Sequence, residues 1–129
     1  MKLIQYRIDH TEKIIYERFK GKISQEDFIN HQESILKDSE YNPSYHTLSD
    51  IRDASYTFSE EIKSEIFSQM RSLLKNKKSK GKCAFITHKP FEVVDTLTFS
   101  DEMKNSTPVE YKTFSTEEAA LEWLVNKTN

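Results

Sequence analysis

After an opening pair of strand-like runs, every further such run in this chain is separated from the next by a stretch of helical periodicity. That alternation limits the fold more than any single motif, because strands joined by a tight turn pair antiparallel while strands joined through a helix pair in parallel. Leu3 to Asp9 reads as the first strand, "HTEK" as a turn, and Ile14 to Phe19 as the second strand, ended by Gly21. "SQEDFINHQESILKD" follows as an amphipathic helix. Ser24 and Asp27 form a capping box at its start, and Phe28, Ile35 and Leu36 share a face with His31 or Gln32 between them. "SEYNPSY" is a turn-rich linker, and "HTLSDI" reads as a short, largely buried strand.

A second helix is expected in "EEIKSEIFSQMRSLL", where Ile62, Ile66, Met70 and Leu73 recur at helical spacing and Glu60 and Glu61 suit the positive end of the helix dipole. "CAFIT" is a core strand, and Pro90 fits the first turn of a third helix carrying Phe91, Val94 and Leu97 inward. "VEYKTF" is the last strand. Ser115 with Glu118 gives another capping-box pattern ahead of a closing helix that turns Leu121, Trp123 and Leu124 inward. The expected order is β-β-α-β-α-β-α-β-α. This is an α/β fold, a mixed and mostly parallel sheet with helices packed on it, in one domain over residues 1–129.

Composition narrows the function classes. A formal charge of −2 offers no field to draw in a polyanion, so nucleic acid is not an expected partner. Lys75, Lys77, Lys78, Lys80 and Lys82 gather at a helix end, where cations complement the dipole, and no aromatics are interleaved to stack on bases. "MKLIQYRIDH" lacks the apolar core of a signal peptide, and no run reaches the ~18 apolar residues of a membrane span, so a cytoplasmic protein is expected. Cys83, the single cysteine, permits no internal disulfide and reads as an unreactive core thiol. His10, His31, His46 and His88 are scattered without ligand spacing, so no metal is expected. With only Gly21 and Gly81, neither a Walker loop nor a dinucleotide fingerprint can be built; no cofactor and no enzymatic activity are expected.

The stretch "LSDIRDASYTFSEE" gathers most of the chemistry. Asp50, Arg52 and Asp53 are expected at the carboxyl end of a parallel strand, the rim where open α/β sheets bind ligands, and a guanidinium there could clamp a carboxylate or phosphate. The competing reading pairs Arg52 with one aspartate and leaves the other to cap the loop. Tyr56 and Phe58, with Tyr41 and Tyr45, bracket the strand and would form an apolar patch if exposed together. Ser59 reads as the N-cap of the second helix.

The strand, glycine turn and helix of "IIYERFKGKISQEDF", the "LSDIRDASYTFSEEI" segment and the terminal "FSTEEAALEWL" together resemble the STAS domain, and more closely its small bacterial SpoIIAA-like (STAS/SEC14-like) relatives. The resemblance spans nearly the whole chain. It implies that Asp50 matches the strand aspartate of the phosphorylated antagonists and Ser59 their phosphoacceptor. Phe58 stands where those have an aspartate, and Glu60-Glu61 where they have Ser-Gly, placing like charge beside any added phosphate. The leading expectation is a non-enzymatic binding or regulatory module whose loops at 50–61 and 87–91 meet a protein partner or a second copy, a homodimer. The alternative is a carrier of a small apolar or lipid-like ligand held between sheet and helices. A phosphorylation-gated switch at Ser59 is the third.

Overall fold

The computed structural model describes residues 3–55, 58–77 and 80–126. It contains β1 (Ile4–Asp9), β2 (Ile14–Lys22), α1 (Gln25–Lys37), β3 (His46–Ser55), α2 (Glu60–Lys77), β4 (Lys82–Ile86), α3 (Pro90–Met103), β5 (Glu110–Phe114) and α4 (Glu117–Val125). The order is the one expected. β1 and β2 form the antiparallel hairpin, β2 to β5 run parallel, and the strands stand in the sheet in chain order. Right-handed crossovers that step each time to the next strand in one direction place α1, α2 and α3 on the same face. The opposite face is left to α4.

The two faces are built differently. Under α4, Ile14, Leu48, Ala84 and Ile86 meet Ala120 and Leu124, all buried, and the small Ala84 and Ala120 let helix and sheet approach closely. Lys82 secures the end of that helix: its Nζ donates to the carbonyls of Trp123 (3.0 Å) and Asn126 (3.2 Å), which α4 leaves without internal partners. This lysine is therefore buried, unlike the solvated helix-end cation its sequence neighbours suggested. On the three-helix face, Ile4, Phe19, Ile23, Ile51 and Ala54 form one cluster, while Ile66, Met70, Leu74 and Met103 form another.

Three local expectations are corrected. β3 does not stop at Ile51; pairing with β2 continues past a register shift between Arg18 and Lys20 and ends with Ser55 opposite Lys22. Asp50 therefore sits in mid-strand. The cap of α4 is Thr116, whose Oγ1 accepts from the Ala119 amide at 3.2 Å, one residue later than Ser115. The largest difference is α3, whose Phe91, Val94 and Leu97 point outward at 85%, 58% and 56% exposure. A spacing of three residues fits two stripes of this helix, and the other one faces in. Phe99 packs edge-on against Tyr111 (5.1 Å) and near Phe67 (5.7 Å), Met103 is fully buried, and Thr96 shares a 2.7 Å hydrogen bond with Thr113 of β5. Filling the gap over β5 with these larger contacts decides the rotation.

The loop into β4 passes tightly beneath the start of β3. Gly81 has φ +114°, and a Cβ there would lie 2.9 Å from the Tyr45 carbonyl oxygen, so only glycine suits the turn. Beside it, His46 Nδ1 accepts from the Lys82 amide at 2.9 Å, which places the ring proton on Nε2. Burial, then the charge of Lys82, lowers the His46 pKa from its ordinary 6.5. Because the folded value lies below the unfolded one, the stabilisation is complete above pH ~6.5 and is lost as pH falls through the folded value. Thermal stability is expected to decline as pH is lowered from 7 through 6, and His46→Gln should flatten that slope. An unchanged slope in the variant would assign the decline to other groups.

Candidate functional site

The structure splits the residues singled out above. Asp50 and Arg52 project on the α4 side of β3. Arg52 Nε donates to Asp50 Oδ1 (2.9 Å), its Nη2 to Oδ2 (2.7 Å), and its amide to Oδ1 (3.1 Å). Burial works to raise the Asp50 carboxyl, but the hydrogen bonds and charge of Arg52 outweigh it and hold the group below its usual range. The clamp is thus closed on its own neighbour. Asp53 pairs across the sheet with Arg18 at 3.0 Å, both exposed, rather than capping a loop. Phe58 belongs to the opposite face, where it packs with the α2 cluster, and Tyr56 lies outside the described residues. Ser59 is exposed and its Oγ accepts from the Ile62 amide at 3.2 Å, as an N-cap does.

A different set converges in the interior. A cavity of about 170 Å³ lies between the sheet and α1–α3. Its wall is mainly apolar, with Phe19, Ile51, Met70, Phe85 and Phe99 among the contributors. It reaches from Tyr41 and Tyr45 near the amino ends of β3 and β4 to Phe58, Lys63 and Asp95 near the other end. There Lys63 Nζ and Asp95 Oδ1, 2.8 Å apart, tie α2 to α3.

One wall carries a carboxylate. Glu17 sits in β2 between Ile15 and Phe19 on the inward face and is only 5% exposed. Its Oε2 lies 2.8 Å from His31 Nε2 on α1, and its Oε1 accepts from the Ser49 hydroxyl on β3. His31 is itself buried and held edge-on against Tyr6 (5.7 Å) and Phe19 (5.5 Å). Beyond Ser49 comes Cys83 on β4. Burial, then the charge of Glu17, pushes its thiol well above the usual range. Burial does the same to Tyr111 on β5. Cys83 is only half-buried because part of its surface faces the cavity.

This arrangement holds polar groups in fixed places inside an apolar chamber. Ser49 donates to a carboxylate and not to an imidazole, so no serine–histidine pair is formed. Among the described residues no group of three His, Cys, Asp or Glu is placed to hold a metal ion, and no helix is long and apolar enough to cross a membrane. Nothing in the sequence reading named Glu17. Its signal was there: in "IIYERF" an acidic residue occupies the phase of Ile15 and Phe19, where strand alternation calls for an apolar side chain.

A hairpin followed by three crossovers onto one face, with a partly open cavity beneath the three helices, defines an α/β single-sheet domain. The SpoIIAA-like family model matches residues 14–125, and the chain belongs to that family. An uncharacterised protein of the DUF3478 family from Shewanella loihica PV-4, described as having a SpoIIAA-like fold, is similar in structure with a TM-score of 0.64. It is 20% identical, and the match covers 94% of this chain and 93% of that one, which establishes a common fold. No curated protein matches the chain.

Proposed function

We propose that this chain is a non-enzymatic binding module that takes up a small, mainly apolar molecule in the chamber between its sheet and α1–α3. The observation that supports the reading is the cavity of about 170 Å³ with a buried, hydrogen-bonded carboxylate on its wall. Pockets that bind small molecules combine an apolar lining with a few fixed polar groups in this way. The size suits one aromatic ring or a short aliphatic chain, since an apolar cavity of roughly 150 Å³ accommodates benzene. A whole phospholipid is too large. Native mass spectrometry after incubation with single-ring and short-chain alcohols, phenols, acids and hydrocarbons tests this. One bound molecule per chain, with a rise in melting temperature, is expected. A clean unliganded mass with no thermal shift across the whole set would sink the proposal.

A second reading, contact with another copy of the chain, draws support from the outward Phe91, Val94 and Leu97 of α3, beside the 87–91 loop. The same spectra address it: dimer peaks should grow with concentration and vanish in Leu97→Ser, and a constant monomer mass counts against it. The Ser59 switch has least support. An exposed hydroxyl is in place, but Glu60 and Glu61 flank it, and absence of a Ser59-dependent phosphate adduct from source cells would remove it.

A further inference from the structure

We infer that the cavity selects neutral molecules carrying a hydroxyl group, phenols or short alcohols, and rejects carboxylic acids of the same size. The inference rests on the cavity-binding reading above and concerns the polar wall of the chamber. A carboxylate has about four lone-pair positions for accepting hydrogen bonds. At Glu17, His31 and Ser49 occupy one on each oxygen, and the group still lines the cavity. Ser49, the next polar group on that wall, directs its own proton to Glu17. What remains toward the ligand on Glu17 is acceptor capacity.

That imbalance discriminates sharply. An incoming hydroxyl can donate to Glu17 in a charge-assisted bond while its ring or chain fills the apolar space. A hydrocarbon fills the same space but makes no such bond. An ionised acid brings a second negative charge beside a carboxylate that is itself buried, where like charges repel strongly. His31, in contact with Glu17 at 2.8 Å, stands behind the carboxylate and does not line the cavity, and the lysines that border the cavity are engaged elsewhere or stand at its rim. Lys63 is paired with Asp95, Lys82 spends its ammonium on the carbonyls that end α4, and Lys80 is exposed at the amino-end rim.

Calorimetric titration of the full chain at pH 7.5 with benzene, phenol and benzoate, three probes sharing one ring, provides the test. Phenol is expected to bind about tenfold more tightly than benzene, with benzoate showing no uptake. In Glu17→Gln, which keeps the side-chain shape and removes the charge, the phenol preference should shrink and benzoate should begin to enter. Ser49→Ala, which leaves the charge and frees one acceptor position, should bind phenol at least as well as the parent. Equal binding of phenol and benzene, or benzoate binding as well as phenol, overturns the selectivity while leaving cavity binding intact. No uptake of any probe removes both. Should Glu17→Gln fail to fold, the ranking of the three probes on the parent protein decides by itself.

Discussion

His31→Leu is expected to lower the unfolding free energy by about 3–5 kcal/mol, because it strands the buried Glu17 carboxylate without its His31 partner. Glu17 and His31 have side-chain exposures of 4% and 6%, so water cannot replace the lost bond, and Ser49 alone remains to hold the charge. Removing both members should behave differently. In Glu17→Met/His31→Leu no buried charge is left, and apolar side chains of similar volume take the space, so most of the loss should be recovered. Urea unfolding of the two single variants and the double variant measures the coupling directly. A loss below ~1 kcal/mol in His31→Leu would show that Glu17 finds another hydrogen-bond partner. The design also separates stability from binding: the double variant should be stable yet should lose the preference for phenol, since the acceptor that creates it is gone.

The second large effect is on the other face. Leu124→Ala is expected to cost about 2–5 kcal/mol, the range for truncating a fully buried leucine. Leu124 is 1% exposed and packs with Ile14, Leu48 and Ile86, and α4 is the one described helix on this side of the sheet, so no neighbour can shift in to fill the space. Val125, the next residue, is 57% exposed; Val125→Ala should change stability by less than ~0.5 kcal/mol. Similar effects at the two positions would mean that α4 docks through a different face from the one described.

How much of this was legible beforehand differs by the range of the interaction involved. The hairpin, the alternation of strands and helices, the Ser24–Asp27 capping box and the Ser59 cap all depend on residues a few positions apart, and each is present. The Asp50–Arg52 pair is equally local. Its residue types suggested a ligand clamp, whereas two residues apart on one face of a strand they satisfy each other. α3 shows the limit of periodicity. Phe91, Val94 and Leu97 form as regular a stripe as the buried one, and only the position of Tyr111 and Phe67, contributed by other elements, selects between them. The candidate site was the least visible part. Glu17, His31 and Ser49 come from three elements and meet only once the crossovers have stacked α1 over β2 and β3. A lone glutamate in the apolar phase of a strand was the available clue, and it names a position without naming its partners.

The sheet order has a consequence during synthesis. Because each strand pairs with the one made just before it, a ribosome emitting this chain delivers every βα unit to a partner already in place, and the growing sheet never has to wait for a strand still to come. The exception is α4, which follows the other described elements in the chain and covers Ile14 of β2. Until α4 has been made, the nascent domain therefore carries Ile14, Leu48 and Ile86 uncovered. A chain interrupted before Glu117 would keep that apolar face open, a natural target for chaperones and for aggregation.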